Sequence, residues 1–420
     1  MRLRSKLALV ALVLFVSSLL VACEQGVSAA DADKARRENS SNSAGNSVRG
    51  PTAGLLSGDA DARFARALAV RTLQFPADHG PHANFRTEWW YFTGNLLAEG
   101  GRRFGFQLTL FRRALAPPSA LSSARPSSFA TRQAWMGHFA LSDVDARTEN
   151  SSDRADNGSI TDGGTDGGRF YAFERLERGA AGLAGARAQP FRVWLRDWQV
   201  SGVDAAGSAD IFPLHMHAAE SGISVDLRLE RGKAKVLQGD AGLSRKSAEA
   251  GDASYYYSYT RMPATGRVRS VDGEFQVTGL AWLDREWSSS ALAADQIGWD
   301  WFALQLDDGR ELMLYRLRDQ HGGTHPYSAA VLIAVDGTKT PLALEQVDFE
   351  PVRVWRSPDG EHYPVVWKLR AGTLQLRVSA LFDAQAHRGR LRYWEGAVQA
   401  QGRDGATLVS ATGYLEMTGY

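Results

Sequence analysis

The sequence predicts an all-β protein, and three observations support that fold class. Apolar and polar residues alternate along many segments, as at 104–110, 223–230 and 374–379, which is the pattern of strands with one buried face. Asp-Gly pairs, which favour tight hairpin turns, begin at residues 272, 308, 336, 359 and 404. After residue 22 no long stretch has helical periodicity, and predicted strands do not alternate with predicted helices.

The first 22 residues predict a secretory signal peptide. Basic residues at positions 2, 4 and 6 precede an apolar run at 7–22 that is short for a membrane-spanning helix. The sequence LVAC at 20–23 looks like a bacterial lipobox, so we expect cleavage before Cys23 and lipidation of this single cysteine. A cleaved signal peptide followed by an incidental cysteine is the alternative.

Lipidation of Cys23 predicts a lipid-anchored protein of the cell envelope. We expect the periplasmic side of the outer membrane rather than the inner membrane, because Glu24 follows the cysteine where an Asp would favour retention at the inner membrane. Residues 23–64 are rich in small and polar residues and are expected to form a flexible tether. The remaining length favours two domains, at 65–248 and 249–420.

The composition narrows the choice of partners. A net charge of +1 disfavours a nucleic-acid partner. The 12 Trp, 12 Tyr and 18 Phe residues suit either a large core or a cavity for a hydrophobic small molecule, and their number does not separate the two. Histidines such as His215 and His217 stand in isolated pairs, so neither a metal site nor a cofactor is expected.

Two aromatic segments are candidate walls of such a cavity. Glu88 and Trp90 share one face of a predicted strand, and Trp89 and Tyr91 lie on the other face. We expect Glu88 to face either a ligand or an arginine in a structural ion pair, because a bare buried carboxylate is prohibitively costly. Further along the chain, Trp299 and Trp301 share a face and are expected to line the core or the same pocket.

Two consecutive predicted strands carry a candidate acid. Tyr255 and Tyr257 share a face of the first, and Trp282 and Asp284 share a face of the second. If the strands pair, aromatic rings surround one carboxyl group, an arrangement that can hold a polyene, protonate it and stabilise the resulting cation. The alternative is that the rings fill a barrel interior and that Asp284 pairs with a neighbouring arginine.

Several multi-residue blocks of the folded part point to one family. They are FPADHGPHANFRTEWWYFTGNL at 75–96, LQGDAGLSRKS at 237–247, SYYYSYTRM at 254–262, GLAWLDREWSS at 279–289, WDWFALQL at 299–306, YWEGAV at 393–398 and GYLEMTGY at 413–420. In this order they resemble the AttH and carotenoid 1,2-hydratase family of two-domain, lipocalin-like proteins. The resemblance implies two antiparallel β-barrels of the lipocalin (calycin) type packed together.

The resemblance also implies roles for particular residues. Asp284, two residues after Trp282, matches the position of the proposed proton donor of the carotenoid hydratases. Those enzymes have a His and a Trp where this sequence has Tyr255 and Tyr257, so the sequence resembles the AttH branch instead. Members of that branch are associated with ABC-type export systems and have no settled reaction.

The sequence leaves three alternative functions open. The first is a lipid-anchored protein that binds a lipid- or isoprenoid-like ligand and serves an ABC transporter permease. The second is a hydratase-like enzyme in which Asp284 protonates a carbon–carbon double bond of a polyene. The third is a structural subunit without catalysis.

Overall fold

The computed structural model describes residues 63–117, 131–146, 167–203, 210–290, 292–293 and 295–420. The predicted signal peptide, Cys23 and almost all of the predicted tether lie outside these residues. Phe64, at the end of the predicted tether, is already buried. Within the described part of the chain, no helix is long and apolar enough to cross a membrane.

Thirteen of the described strands form the first sheet. They are β1 (Thr87–Ala98), β2 (Arg103–Ala114), β3 (Gln133–Asp143), β4 (Arg169–Arg178), β5 (Ala184–Ala188), β6 (Phe191–Leu195), β7 (Trp198–Gly202), β8 (Leu214–Glu220), β9 (Ile223–Leu229), β10 (Val236–Leu237), β11 (Leu243–Arg245), β12 (Ala253–Ser270) and β13 (Gly273–Ser288). Their order is β4-β3-β2-β1-β13-β12-β9-β8-β7-β6-β5, and β10 and β11 pair with β12. A single turn of 3-10 helix at Ala77–His79 precedes β1.

Ten further strands form the second sheet. They are β14 (Gln296–Leu306), β15 (Glu311–Asp319), β16 (Ala329–Ile333), β17 (Lys339–Leu342), β18 (Val347–Arg356), β19 (His362–Ala371), β20 (Leu374–Ala380), β21 (Ala386–Arg388), β22 (Arg392–Asp404) and β23 (Thr407–Thr418). Their order is β17-β16-β15-β14-β23-β22-β20-β19-β18, with β21 beside β22. A second 3-10 turn lies at Leu344–Gln346. The protein is therefore all-β, with two barrel-like antiparallel sheets, as predicted.

Burial along the strands follows the predicted alternation. In β9 the apolar residues at 223, 225, 227 and 229 are buried, and the polar residues between them are partly or fully exposed. The apolar residues of β20 at 374, 376 and 378 are buried in the same way. The predicted hairpin turn joins β14 to β15, and Gly309 in that turn has the positive φ of 88° that favours glycine.

The division between the sheets lies between β13 and β14. The boundary predicted at 248/249 therefore falls inside the first sheet. The reason is the pairing of the β12–β13 hairpin. β13 pairs with β1 along the whole of β1, from Thr87 opposite Ser288 to Ala98 opposite Val277, and β12 pairs with β9. The hairpin thus joins the two halves of the first sheet.

Three buried apolar clusters hold the fold together. The first two fill the interiors of the first and the second sheet. The third contains Tyr91, Tyr256 and Trp282 from the first sheet and Trp301 and Tyr414 from the second. The two sheets therefore pack on each other, and β1, β12 and β13 contribute one face to the first interior and the other face to this contact.

Candidate functional site between the sheets

A cavity of about 110 Å³ lies where the two sheets meet. It is called the inter-sheet cavity below. Eight of the described side chains that line it are aromatic: Trp89, Tyr91, Phe111, Tyr256, Trp299, Trp301, Tyr315 and Tyr393. Four are acidic: Asp284, Glu286, Glu395 and Glu416. Strands from both sheets supply them, so the cavity exists only because the sheets are packed together.

Asp284 is the acid with the most hydrogen-bond donors around it. It lies opposite Ser258 in β12 and opposite Tyr91 in β1. Ser258 Oγ donates to Oδ1 at 2.5 Å, Trp282 Nε1 donates to Oδ1 at 2.7 Å, and Tyr256 Oη donates to Oδ2 at 2.5 Å. Burial raises the pKa of Asp284 to about 7, against the opposing effect of these three donors. The carboxyl therefore exchanges its proton near neutral pH.

Glu286 projects into the same cavity from β13 and has a cationic neighbour. Lys246 Nζ lies 3.5 Å from Glu286 Oε1 and 4.5 Å from the centre of the Tyr315 ring. Burial alone would lower the pKa of Lys246, but Glu286 and Tyr315 outweigh burial and raise it. Ser254 Oγ donates a further hydrogen bond to Glu286. Lys246 therefore stays charged and pairs with this carboxyl.

Glu395 and Glu416 face each other across the β22–β23 pair. Trp299 Nε1 donates to Glu416 Oε1 at 3.1 Å. The Tyr91 and Tyr393 hydroxyls lie close enough to Glu395 to oppose the rise of its pKa, but no group in the described part of the chain has the distance and angle of a well-formed hydrogen bond to either oxygen of Glu395. Burial, and then the second carboxyl, raises the pKa of Glu395 well above its usual value. Burial, followed by Asp284 and Glu286, raises the pKa of Glu416 to about 8.

Comparison with known proteins identifies the family. A family model described as AttH-like matches residues 66–420. The chain belongs to the AttH-like family. A solved structure of an AttH from Nitrosomonas europaea is 30% identical, with a TM-score of 0.69, and the match covers 85% of this chain and 100% of that one. The family resemblance of the sequence is thus confirmed.

The AttH-like fold also occurs in a more distant structure. Kievitone hydratase from Nectria haematococca is 13% identical, with a TM-score of 0.58, and the match covers 86% of this chain and 96% of that one. At this identity the likeness shows a shared fold. No curated protein sequence matches the chain.

Four of the predicted site residues of this AttH-like protein meet at the cavity. Trp299 and Trp301 line it together with Asp284. Trp282 donates its indole hydrogen to Asp284, and its ring contacts the Trp301 ring edge-on with centroids 6.2 Å apart. Aromatic rings therefore surround Asp284, but of the rings expected there only that of Trp282 comes from the predicted strand pair, and Trp299 and Trp301 come from the second sheet.

Tyr255 and Tyr257 lie elsewhere, and this corrects their predicted position. Tyr255 Oη donates to the carbonyl of Ala69 at 2.8 Å, and Tyr257 Oη lies 2.7 Å from His79 Nδ1. Both belong to the interior of the first sheet. Because Ser258 is the residue opposite Asp284, the even-numbered residues of β12 face the cavity. The tyrosine that reaches Asp284 is therefore residue 256.

Glu88 and Trp90 also face the interior of the first sheet, away from the cavity. Glu88 is fully buried and forms ion pairs with Arg112 and Arg285. Burial alone would raise its pKa, but the two guanidinium groups outweigh burial and hold the pKa well below its usual range. The Arg285 guanidinium also lies 3.9 Å above the Trp90 ring. Glu88 therefore forms a structural ion pair, which was the alternative to facing a ligand.

Sequence reasoning missed three of the four acids, namely Glu286, Glu395 and Glu416. Glu395 and Glu416 each stand two residues after a tyrosine, in Tyr393-x-Glu395 and Tyr414-x-Glu416. This is the same aromatic-x-acid spacing that singled out Asp284 after Trp282. In an alternating strand the spacing places ring and carboxyl on one face, so the signal was present in the two C-terminal blocks.

Proposed function

We propose that this AttH-like protein binds a hydrophobic, lipid- or isoprenoid-like small molecule in the inter-sheet cavity. The observation that carries the proposal is a cavity walled mainly by aromatic rings between two otherwise well-packed sheets. An apolar cavity of about 150 Å³ accepts a benzene ring. A cavity of about 110 Å³ therefore receives one end of a longer molecule.

Binding is tested by titrating the purified protein with farnesol and following tryptophan fluorescence. Trp299→Ala removes part of the cavity wall, and we expect it to weaken binding at least about tenfold, as is usual for a buried aromatic contact. Trp194→Ala is the control, because Trp194 is a half-buried tryptophan in β6 that does not line the cavity. Absence of saturable binding by the unaltered protein would refute the proposal.

A second candidate function is hydration of a double bond, and the Asp284 site favours it. A carboxyl with a pKa of about 7 is suited to general acid catalysis near neutral pH. In this step the π electrons of the alkene form a C–H bond with the Asp284 proton, which leaves a carbocation and a carboxylate. Water then adds to the cation, and the proton that it loses returns to Asp284. The family's structural neighbour is named a hydratase.

Hydration is tested by incubating the protein with an acyclic polyene and searching for a tertiary alcohol by mass spectrometry. We expect Asp284→Asn to abolish product formation and to retain ligand binding. The control is Tyr257→Phe, which lies on the opposite face of β12 and should leave turnover unchanged. If Asp284→Asn formed as much product as the unaltered protein, Asp284 would not be the proton donor. If the protein bound the polyene but formed no product, ligand binding would be supported and hydration would not.

We further propose that the protein is anchored through lipidated Cys23 at the periplasmic side of the outer membrane and passes its ligand to or from an ABC-type exporter. The lipobox-like LVAC sequence and the family resemblance support this part of the proposal. Cys23→Ser should move the protein from the membrane fraction to the soluble fraction. Co-purification of a permease with the unaltered protein, and not with Cys23→Ser, would support the partner. A purely structural subunit would bind neither farnesol nor any other apolar probe.

A further inference from the structure

Buried acids in this protein are almost always paired with a cation. The described residues contain nine buried carboxyl side chains: Asp78, Glu88, Asp143, Asp284, Glu286, Asp300, Glu311, Asp383 and Glu395. Seven of them have an Arg or Lys nitrogen within 3.5 Å. The two that have none among the described residues are Asp284 and Glu395, and both line the inter-sheet cavity.

The second wall of the cavity adds a third acid of the same kind. Glu416 forms no ion pair within the described part of the chain, and it lies directly opposite Glu395 on the neighbouring strand. Two ionised carboxylates in that position would repel each other, and this repulsion adds to burial in raising the pKa of Glu395. Apart from the Tyr91 and Tyr393 hydroxyls beside Glu395, the only polar side chain that hydrogen-bonds to either carboxyl is the Trp299 indole, which donates to Glu416. This statement covers the described residues only.

Lys246, the one Lys or Arg among the described residues that line the cavity, is already paired. Lys246 pairs with Glu286 and lies over the Tyr315 ring. It therefore leaves the Glu395–Glu416 pair without a countercharge from the described side chains. The Glu395 carboxyl lines the cavity, and neither of its oxygens has a well-formed hydrogen bond in this part of the chain, so it can pair with a ligand in place of the nearby Tyr91 and Tyr393 hydroxyls.

The aromatic walls suit a cation as well as a hydrocarbon. Trp299 and Trp301 lie on the strand next to Glu416, and Tyr91 lies beside Glu395. An ammonium group is attracted to the faces of such rings, and the attraction grows when water is excluded. A carboxylate beside the rings strengthens binding, because its hydrogen bond or ion pair with the ammonium is charge-assisted.

We propose that the ligand of the inter-sheet cavity is a hydrophobic amine whose ammonium group binds between Glu395 and Glu416. This inference rests on the proposed binding function and names the chemical class of the ligand. The ammonium supplies the countercharge that Arg or Lys supplies to the other buried acids. The apolar part of the molecule then extends along the tryptophan wall.

The experiment compares probes that share a ten-carbon chain and differ in head group. Decyltrimethylammonium, 1-decanol and decyl sulfate are each titrated below their micelle concentrations by isothermal calorimetry. We expect the unaltered protein to bind decyltrimethylammonium at least tenfold more tightly than 1-decanol and to bind decyl sulfate least tightly. Equal or tighter binding of 1-decanol would overturn the amine assignment and leave the binding function intact. Failure of all three probes would refute the binding function itself.

Variants locate the ammonium group. We expect the double change Glu395→Gln and Glu416→Gln to weaken decyltrimethylammonium binding at least tenfold and to change 1-decanol binding less than twofold. The control is Glu99→Gln, because Glu99 is exposed at the end of β1 and should change neither. An ammonium affinity that survives the double change would place the group elsewhere and overturn the assignment. The head-group comparison in the unaltered protein remains decisive even if the double variant does not fold.

Discussion

The two faces of the β1–β13 pair carry two buried acid sites of opposite character. On one face, Glu88 of β1 meets Arg285 of β13 in the interior of the first sheet. On the other face, Asp284 of β13 lies opposite Tyr91 of β1 and projects into the inter-sheet cavity. Glu88 is 0% exposed and Asp284 is 4% exposed, so burial does not distinguish them.

What distinguishes the two sites is the charge of their neighbours. Burial pushes the pKa of both carboxyls upward. Two arginines reverse that effect at Glu88, whereas Asp284 has only neutral donors, and its pKa rises to about 7. An acid that is permanently ionised and paired serves structure, and an acid that titrates near neutral pH beside a cavity is available for chemistry or for a charged ligand.

The largest expected effect is loss of stability in Glu88→Gln. The change removes the negative charge and leaves the Arg112 and Arg285 guanidinium groups buried without it. Removing one partner of a buried ion pair costs about 3–5 kcal/mol, so we expect a loss of that size in the free energy of unfolding, measured with urea at pH 7.

Asp284→Asn is the matched change on the other face. It removes no ion pair of the described residues, and the amide oxygen still accepts hydrogen bonds. We expect no loss in the free energy of unfolding at pH 7, because the change also removes a carboxyl whose burial opposes folding at that pH. If Glu88→Gln and Asp284→Asn lost similar amounts of unfolding free energy, the two acids would contribute equally to stability, which contradicts the contrast drawn above.

The second prediction concerns the pH dependence of stability. Asp284 has a pKa of about 7 in the folded protein, against its usual value of 3.8, so the folded state binds more protons than the unfolded state between about pH 4 and pH 7. Stability must therefore fall as pH rises through this range. Glu88 acts in the opposite sense, because its lowered pKa contributes stability that is lost as pH falls below about 4.

The pH prediction is checked by urea unfolding at pH 5 and pH 8 in the unaltered protein and in Asp284→Asn. Because each unit of pKa shift corresponds to 1.36 kcal/mol, we expect the variant to gain on the order of 2 kcal/mol relative to the unaltered protein between the two pH values. Glu99→Gln is the control, since Glu99 is exposed just after β1 and its loss should not produce this gain. A difference that does not change with pH would show that Asp284 is already ionised when folded.

The fold was predictable from the sequence to the level of strands and fold class. Alternation in β9 and β20 and the Asp-Gly turn at Gly309 are local signals, and all three are confirmed. The pairing of β1 with β13 joins residues almost 200 positions apart, and no local pattern specifies it. For that reason the boundary predicted at 248/249 assigned the β12–β13 hairpin to the second domain, although it belongs to the first sheet.

The site was predictable only in part, for a related reason. Spacing revealed that Trp282 and Asp284 share a face, because both belong to one strand. It did not reveal which residues of β12 lie on the same side of the sheet as Trp282 and Asp284. That depends on the strand register, which places Ser258 opposite Asp284. Tyr255 and Tyr257 were therefore predicted at a site that Tyr256 reaches. Glu395 and Glu416 carried a local signal, but only the packing of the second sheet places them in the cavity.

The smallest predicted effect separates two adjacent tyrosines. Tyr256→Phe removes a donor that stabilises the ionised form of Asp284, so the pKa of Asp284 should rise further and the fall in stability should continue to higher pH. Tyr257→Phe removes the hydrogen bond to His79. Burial lowers the pKa of His79 to about 3, so this histidine is neutral from pH 5 to pH 9.

Unfolding free energies measured from pH 5 to pH 9 distinguish the two variants. Each should lose about 1 kcal/mol, the usual net contribution of one hydrogen bond. Only Tyr256→Phe should also shift the pH profile, since only residue 256 contacts an acid that titrates in this range. Identical profiles for the two variants would mean that the hydroxyl of Tyr256 does not control Asp284. The two faces of β12 would then differ only in packing. The electrostatic difference between the Glu88 and Asp284 sites would not extend from the β1–β13 pair to β12.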